Sequence, residues 1–511
     1  MKGIILFLLL AFQTFAEAAV PVEYSYGGLP AINWQANEGK PLTRVDDVVT
    51  GGIYRQGIAS LPTNLRRIGP DTNNEVAAIL NRMQLPLLAR HPDDSELISM
   101  LCSAWSVEVK QQKIYCQIDN DARWSDGVAV TTSDVAFSFE FIQSTEAQAT
   151  IQNETLNSYI HSVEIFSEKV FAVKTRMPLT LQVLNRVIAF RPLAKHFYTS
   201  RSGWPDSFDL LSEPSTSAYY IDKISRSGRV TIRKTLDWWA ADKPFFAGRF
   251  NVDRVVYQRY QNAELMLDDF ESGEIDSIPL QKDSNWHSAK IKRLNERKRI
   301  ALIEFYHQGI TRFSGLILNQ KHPQLESLKT RKKIVDAVSG KSVNAKSIPA
   351  IELLYSTQNS GELNYLLDNA LAAGLKLKAR QVDHSALMEK LRNDDYPLAW
   401  IAIKGTPDNP FSGILNTTPS AEEMQTGISN YLFAPGASQP FSRYAYWQWL
   451  ELPDNLGTRV SADVFDPFDP VSGGLFWINP ELRADVLGRP DRRSGEEAVR
   501  VSDERFKFKE Q

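Results

Sequence analysis

This chain has few of the residues from which catalytic centres are built. Only two cysteines, Cys102 and Cys116, occur among 511 residues, so one intrachain disulfide is the most it can form. The seven histidines (His91, His161, His196, His287, His307, His322 and His384) are scattered without ligand-like spacing, and they read as packed or solvated rings. Gly-x-Ser-x-Gly, His-Glu-x-x-His and Gly-x-x-x-x-Gly-Lys-Ser/Thr are all absent. The carboxylate pairs Asp93-Asp94, Asp268-Asp269 and Asp394-Asp395 are adjacent in sequence. Neighbouring acids on a helix point to different sides, so they read as solvated charge and not as acid/base dyads. A net charge of −3 and the lack of a long basic run give no sign of a nucleic-acid partner. There is no internal repeat or low-complexity tract. An enzyme is disfavoured, and no catalytic residue, metal or cofactor is expected.

What is present is the composition of a large ordered protein. Hydrophobic residues make up 43% and charged residues 23%, ordinary values for folded chains. The length exceeds that at which one core usually splits, so two or three domains are expected. Eleven Trp and 17 Tyr are a generous aromatic supply, able to line a ligand cleft although most will pack internally. At the start, Lys2 precedes the apolar run Ile4 to Phe12, and Ala16-Glu17-Ala18 is a small-x-small cleavage pattern. The run is far short of the ~20 residues a membrane span needs. Residues 1–18 therefore read as a cleaved signal peptide, with the mature chain beginning near Ala19. No cysteine stands near that site, which argues against a lipid anchor.

The most distinctive stretch is Asp121-Ala-Arg-Trp-Ser-Asp-Gly-Val-Ala-Val-Thr-Thr-Ser-Asp-Val-Ala-Phe-Ser-Phe-Glu140. Ser125-Asp126-Gly127 has turn chemistry. Thr132 or Ser133 can cap a following helix in which Asp134 favours the positive N-terminal end. Val135, Phe137, Phe139, Phe141 and Ile142 supply its apolar surface. The wording resembles the Arg/Lys-Trp-Ser-Asp-Gly-x-Pro-Val-Thr signature of family 5 extracellular solute-binding proteins, the binding subunits of peptide-type ABC importers, with Ala129 in place of the usual Pro. The resemblance extends over most of the chain from Gly51 to Asn479. It is carried by Gly51-Gly-Ile-Tyr-Arg55, Leu61 to Arg66, Gly69 to Asn73, Leu101-Cys-Ser-Ala-Trp105 and Leu236-Asp-Trp-Trp-Ala-Ala-Asp-Lys-Pro244. Arg249 to Arg254, Phe270-Glu-Ser-Gly-Glu-Ile-Asp276, Tyr444 to Leu450 and Gly473 to Asn479 complete it. Gly273 suits a helix C-cap with positive φ.

The resemblance implies an α/β, two-lobed periplasmic binding protein fold of type II, in the large peptide-binding class, with an extra subdomain in the first lobe. The expected organisation is a first lobe over 19–65, 186–298 and 431–490, an inserted subdomain over 66–185, an abbreviated second lobe over 299–430 and a charged tail over 491–511. Arg297 to Tyr306 reads as a crossing strand, Glu362 to Ala373 and Ser385 to Arg392 as helices, and Leu375 to Val382 as a strand. Cys102 and Cys116 flank a candidate hairpin that would set them nearly opposite each other. A structural disulfide is favoured over two free thiols, since an exported compartment permits oxidation.

Three departures from the family pattern stand out. Ser215-Thr-Ser-Ala-Tyr219 lacks both glycines of the usual Gly-Thr/Ser-Gly-Pro/Ala-Tyr turn, so the turn must carry strain or take another shape. A long second-lobe segment is missing after Asp336, and a C-terminal helix is missing between Thr426 and Ser442. Trp400, Tyr444, Trp447 and Trp449 are candidate ligand walls, each with core packing as the competing reading. Trp238 and Trp239 read as structural. Peptide-binding members carry an aspartate three residues after the tryptophan, and here Ile403 stands there. Lys404 and Arg55 are candidates for an anionic group on the ligand, or else solvated surface charge.

The function expected is the periplasmic substrate-binding subunit of an ABC importer. It would take an oligopeptide or similar-sized polar solute into an interlobe cleft by hinge closure, act as a monomer and hand over to an ABC permease. The alternative is a diverged binding protein serving as a sensor or protein-interaction module without transport.

Overall fold

The computed structural model describes residues 19–42, 48–58, 62, 64–72, 75–225, 228–280, 283–306, 311–356, 363–405, 434–435, 442–453, 465–488 and 499–503. The signal peptide expected over 1–18 and the helix expected missing between 426 and 442 fall almost wholly outside these residues. The chain divides into two compact units, one of residues 1–265 with 465–478, the other of residues 266–464 with 479–511.

The first unit holds two larger sheets. One has the order Val22–Tyr24, Ile160–Ile165, Val170–Thr175, Lys113–Ile118, Cys102–Glu108, with the first pair parallel and the rest antiparallel. The other has the order Ile53–Ile58, Arg254–Arg259, Arg229–Lys234, Tyr219–Ile224, again with only the first pair parallel. The expected hairpin is the Cys102–Glu108 and Lys113–Ile118 pair, joined by a single 3-10 turn at Val109–Gln111. Its register sets Cys116 opposite Trp105 and Cys102 opposite Ile118, with a bulge between Cys102 and Ala104. The two cysteines are thus offset along the ladder. They are nonetheless disulfide-bonded, at a Cα separation of 5.7 Å.

The helix read from residues 121–140 spans Thr132–Gln143, and its cap lies one residue earlier than expected, at Thr131. Thr131 accepts from the Ser133 amide while Asp134 accepts from the Thr131 amide at 2.9 Å, a reciprocal capping box. Val135, Phe139 and Ile142 turn inward, and Gly127 holds the preceding turn at φ +87°. The glycine-free turn at 215–219 takes a different shape without strain: none of its residues has positive φ. Side chains replace the missing glycine geometry. Gln84 Oε1 accepts from the Thr216 amide and hydroxyl, Gln84 Nε2 donates to Pro214 O at 3.0 Å, and Trp238 and Trp239 both donate to Thr216 O.

The return segment 465–478 is held to the first unit by Arg249. Its Nε donates to Gly473 O at 2.9 Å and its Nη2 to Asp469 O at 3.0 Å, while the guanidinium sits 4.9 Å from the ring centroids of Phe245 and Phe250.

The second unit carries a five-stranded sheet in the order Leu377–Gln381, Ile351–Tyr355, Leu398–Gly405, Thr311–Leu318, Ala434–Pro435. The first three strands are parallel and the last two pairings antiparallel. Strand alternation divides its side chains between two cores. Leu316, Leu318, Leu353, Leu398 and Trp400 pack with the helices Leu328–Val338 and Leu363–Ala372, whereas Ile317, Leu354, Ala399 and Ile401 pack with the helix His384–Arg392. This is a three-layer α/β arrangement with a mixed sheet. The two helices and the strand predicted between 362 and 392 are all present.

A four-stranded sheet in the order Ser277–Pro279, Ser442–Trp447, Ile300–Tyr306, Val499–Asp503 completes the unit. Its last member corrects the tail expected over 491–511. Val499–Asp503 pairs in parallel with Ile300–Tyr306, setting Leu302 opposite Val499 and Glu304 opposite Val501. A strand edge with unpaired backbone groups recruits a short segment of modest hydrophobicity.

Candidate functional site

Four of the six candidate ligand residues lie in the second unit with their environments described, Tyr444, Trp447 and Trp400 on two sheets and Trp449 in a turn. Tyr444 is on the strand Ser442–Trp447, between Pro279 and Ile303, and is 8% exposed. Trp447 closes that strand, and Trp449 follows in the turn beyond it. Although one residue of the pair is outside the ladder, their rings stack at 4.4 Å with an interplanar angle of 10°. Arg299 lies 5.0 Å over Trp447 and Arg483 5.4 Å over Trp449, giving a four-layer cation–π stack. Both indole donors are used internally: Trp447 Nε1 donates to Phe270 O at 2.9 Å and Trp449 Nε1 to Asp276 Oδ1 at 2.7 Å. Both tryptophans and Asp276 are fully buried.

Gly273 ends the neighbouring helix at φ +83°, and a Cβ there would meet Leu487 at 2.7 Å and Trp449 at 3.2 Å. Glycine is required both for the left-handed turn and for the space beside the stack.

Trp400 is on the strand Leu398–Gly405, opposite Leu316 and Tyr355. It is 4% exposed in the core formed with Ile334 and Leu366, and its Nε1 has no hydrogen-bond partner among the described residues. Lys404 is on the same strand, in register with Arg312, and its side chain lies outside the described residues. Arg55 belongs to the first unit. It is half-buried on the strand Ile53–Ile58, and its Nη1 donates to Ile53 O at 3.1 Å.

The structure therefore groups Tyr444, Trp447 and Trp449 and sets Trp400 and Lys404 on a different sheet. Reading the sequence missed Arg299, Arg483 and Asp276 as partners of the tryptophans. A signal was available, since Phe270 to Asp276 and Tyr444 to Leu450 are two of the stretches that carry the family resemblance. The structure joins them through the Trp447 amide, which donates to Asp276 O at 3.0 Å.

Among the described residues no group of three or more His, Cys, Asp or Glu side chains could hold a metal ion, and no helix is long and apolar enough to cross a membrane.

The fold is that of the large two-lobed substrate-binding proteins. The ABC transporter substrate-binding protein CtaP of Listeria monocytogenes superposes with a TM-score of 0.58 at 15% identity, over 84% of this chain and 100% of that one. The periplasmic murein tripeptide-binding protein MppA, in its unliganded open form, superposes with a TM-score of 0.58 at 13% identity, over 85% of this chain and 99% of that one. Residues 96–344 match the model of the bacterial extracellular solute-binding proteins, family 5 Middle, and over that stretch the chain is similar to a family of binding proteins. The "Probable peptide-binding protein YejA" of Agrobacterium fabrum strain C58 is 25% identical over 184 residues, which are 34% of this chain. That match spans only 29% of the relative's own length.

Proposed function

We propose that this protein is the periplasmic substrate-binding subunit of an ABC importer, capturing an oligopeptide or a polar solute of similar size by ligand-driven hinge closure. The observation that carries the reading is the family match over residues 96–344. Two similar proteins support the peptide class, the probable peptide-binding protein of Agrobacterium and the murein tripeptide-binding protein. Export through a signal peptide over residues 1–18, action as a monomer and delivery to an ABC permease belong to the same proposal.

For the site we carry forward Trp400, Tyr444, Arg55 and Lys404 as side chains that meet ligand. Trp447 and Trp449 support the strand that bears Tyr444, because their donors and faces are taken by Phe270, Asp276, Arg299 and Arg483. A cationic Lys404 or Arg55 would suit a ligand carboxylate. With Ile403 where peptide-binding members have an aspartate, a free α-amine would find no carboxylate at that position.

The test is native mass spectrometry of protein purified from its own periplasm, before and after mild denaturation, followed by thermal-shift screening of peptides and metabolites. A released peptide, or a library peptide that raises Tm, supports the proposal. An empty protein with no shift across the library refutes it in favour of a sensor or interaction module.

A further inference from the structure

A cavity of about 310 Å³ opens inside the first unit, bounded mainly by two helices and the segment that follows the second. The helix Thr150–Tyr159 contributes Ile151, Thr155 and Leu156, the helix Leu181–Ile188 contributes Arg186 and Val187, and the segment that follows contributes Phe190, Arg191 and Leu193. Ile142 and Ile160 extend the apolar wall. The volume is at the small end of ordinary ligand sites.

The charge on this lining is all of one sign. Arg67, Arg186 and Arg191 face the cavity and, among the described residues, no carboxylate does. The three arginines are not equivalent. Arg67 is already neutralised by a two-point contact with Glu213, at 2.7 and 3.1 Å. Arg191 uses Nε on Gln84 O at 3.0 Å and Nη1 on Ala189 O at 2.9 Å, both uncharged acceptors, which leaves Nη2 without a hydrogen bond among the described residues. Burial pushes its guanidinium down to about 10, with the charge of Asp469 opposing the fall and that of Arg67 adding to it. Arg186, at the exposed rim, contacts the Tyr159 ring at 6.0 Å. A half-buried cation whose hydrogen bonds all go to uncharged carbonyls is poorly compensated, and a bound anion improves its balance.

We propose that this cavity is a second ligand site, taking a small amphipathic monoanion of the aliphatic carboxylate class, with its chain among Ile142, Leu156, Ile160 and Val187 and its carboxylate on Arg191 and Arg186. The site lies wholly within one compact unit and does not depend on the transport reading.

The experiment titrates decanoate, below its micellar range, into the full chain by isothermal calorimetry, with isoleucine-methyl NMR to locate it. Expected are one-to-one binding, shifts at Ile142, Ile151 and Ile160, and at least about tenfold weaker binding of decanol. Arg191→Gln weakens decanoate by about tenfold or more, Arg186→Gln by a few-fold, and Thr155→Trp, at an exposed position on the mouth, abolishes it. If Arg191→Gln fails to fold, Arg186→Gln and Thr155→Trp decide. Absence of heat and methyl shifts up to millimolar decanoate overturns the proposal. So does decanol binding as tightly as decanoate, or undiminished binding to Thr155→Trp.

Discussion

Removal of one member of the Arg67–Glu213 pair is the sharpest test of how the first unit is held together. The two side chains are 3% and 4% exposed. Glu213 accepts four hydrogen bonds: from Arg67 Nε at 2.7 Å, Arg67 Nη2 at 3.1 Å, the Ala194 amide at 2.9 Å and Tyr198 Oη at 3.0 Å. Arg67 Nη2 also donates to Pro192 O at 2.8 Å. Burial works to lower the Arg67 pKa, but the charge and hydrogen bonds of Glu213 outweigh it, so the net movement is upward and the guanidinium stays charged.

Glu213→Leu leaves that charge buried and strips the Tyr198 and Ala194 donors of their acceptor. The expected cost is about 3–5 kcal/mol. Arg67→Met leaves the carboxylate with two donors but no cation, and a cost of about the same size is expected. In the double variant no uncompensated charge remains, so its cost should fall at least about 2 kcal/mol short of the sum of the two single variants. The exposed pair Lys321–Asp394 serves as control, with an expected loss below about 1 kcal/mol. Hydrogen exchange read on peptides spanning residues 190–215 reports the opening free energy of this region without requiring the two units to unfold together. Single variants that each cost under about 1 kcal/mol would refute the reasoning, as would additivity to within about 0.5 kcal/mol.

Three further outcomes are expected. Replacing Cys102 and Cys116 together by Ala, which opens a loop with a sequence separation of 14, should cost about 3 kcal/mol in urea unfolding of the oxidised protein; dithiothreitol should lower the wild-type midpoint and leave the variant unmoved. Gln84→Ala deprives the Thr216 amide and hydroxyl of their acceptor and should cost about 1–3 kcal/mol in the same assay, with a Ser215→Gly, Ser217→Gly background recovering part of the loss if glycine geometry can substitute for the side-chain clamp. Burial raises the Asp134 pKa above its ordinary 3.8, against the Thr131 and Lys195 amides and the nearby His196, which pull it down. A raised acid stabilises the fold most below its ordinary pKa and loses that contribution as pH rises through the folded value. The stability difference between wild type and Asp134→Asn should therefore shrink as pH climbs above 3.8, and a difference that grows would contradict the burial argument.

Local patterns were legible in the sequence where one short segment determines its own structure. The capped helix after Gly127, the hairpin around Val109–Gln111 and the helices at 363–372 and 384–392 all follow from apolar period and turn chemistry. The cap fell one residue early because Thr131, Thr132 and Ser133 can all accept an amide, and only the reciprocal bond from Asp134 selects Thr131. The strand Val499–Asp503 was illegible because its stability comes from the edge of Ile300–Tyr306, in a distant part of the chain (Val499 is opposite Leu302). Trp447 and Trp449 are two residues apart, so strand alternation sets them on one face, yet alternation cannot tell a face turned to ligand from one capped by Arg299 and Arg483.

The stretches that carry the family resemblance are tied into the scaffold, and two pairs of them bind each other: 249–254 with 473–479, and 270–276 with 444–450. Ser125, within the 121–140 stretch, exchanges hydrogen bonds with Ser215, its amide donating to Ser215 O and its hydroxyl accepting from the Ser215 amide. The 236–244 stretch supplies Trp238 and Trp239 to Thr216 and Lys243 to Asp119, and Arg249 fastens the stretch that begins at Gly473. Residues with several simultaneous packing and hydrogen-bond partners tolerate little change, so their wording stays recognisable and reports the scaffold. Ligand contacts obey a different constraint, since each has to satisfy only the solute it meets and can be exchanged one at a time. This explains why the family was readable here from its motifs while the cavity lined by Arg186 and Arg191, assembled from segments outside those motifs, left no mark in the sequence.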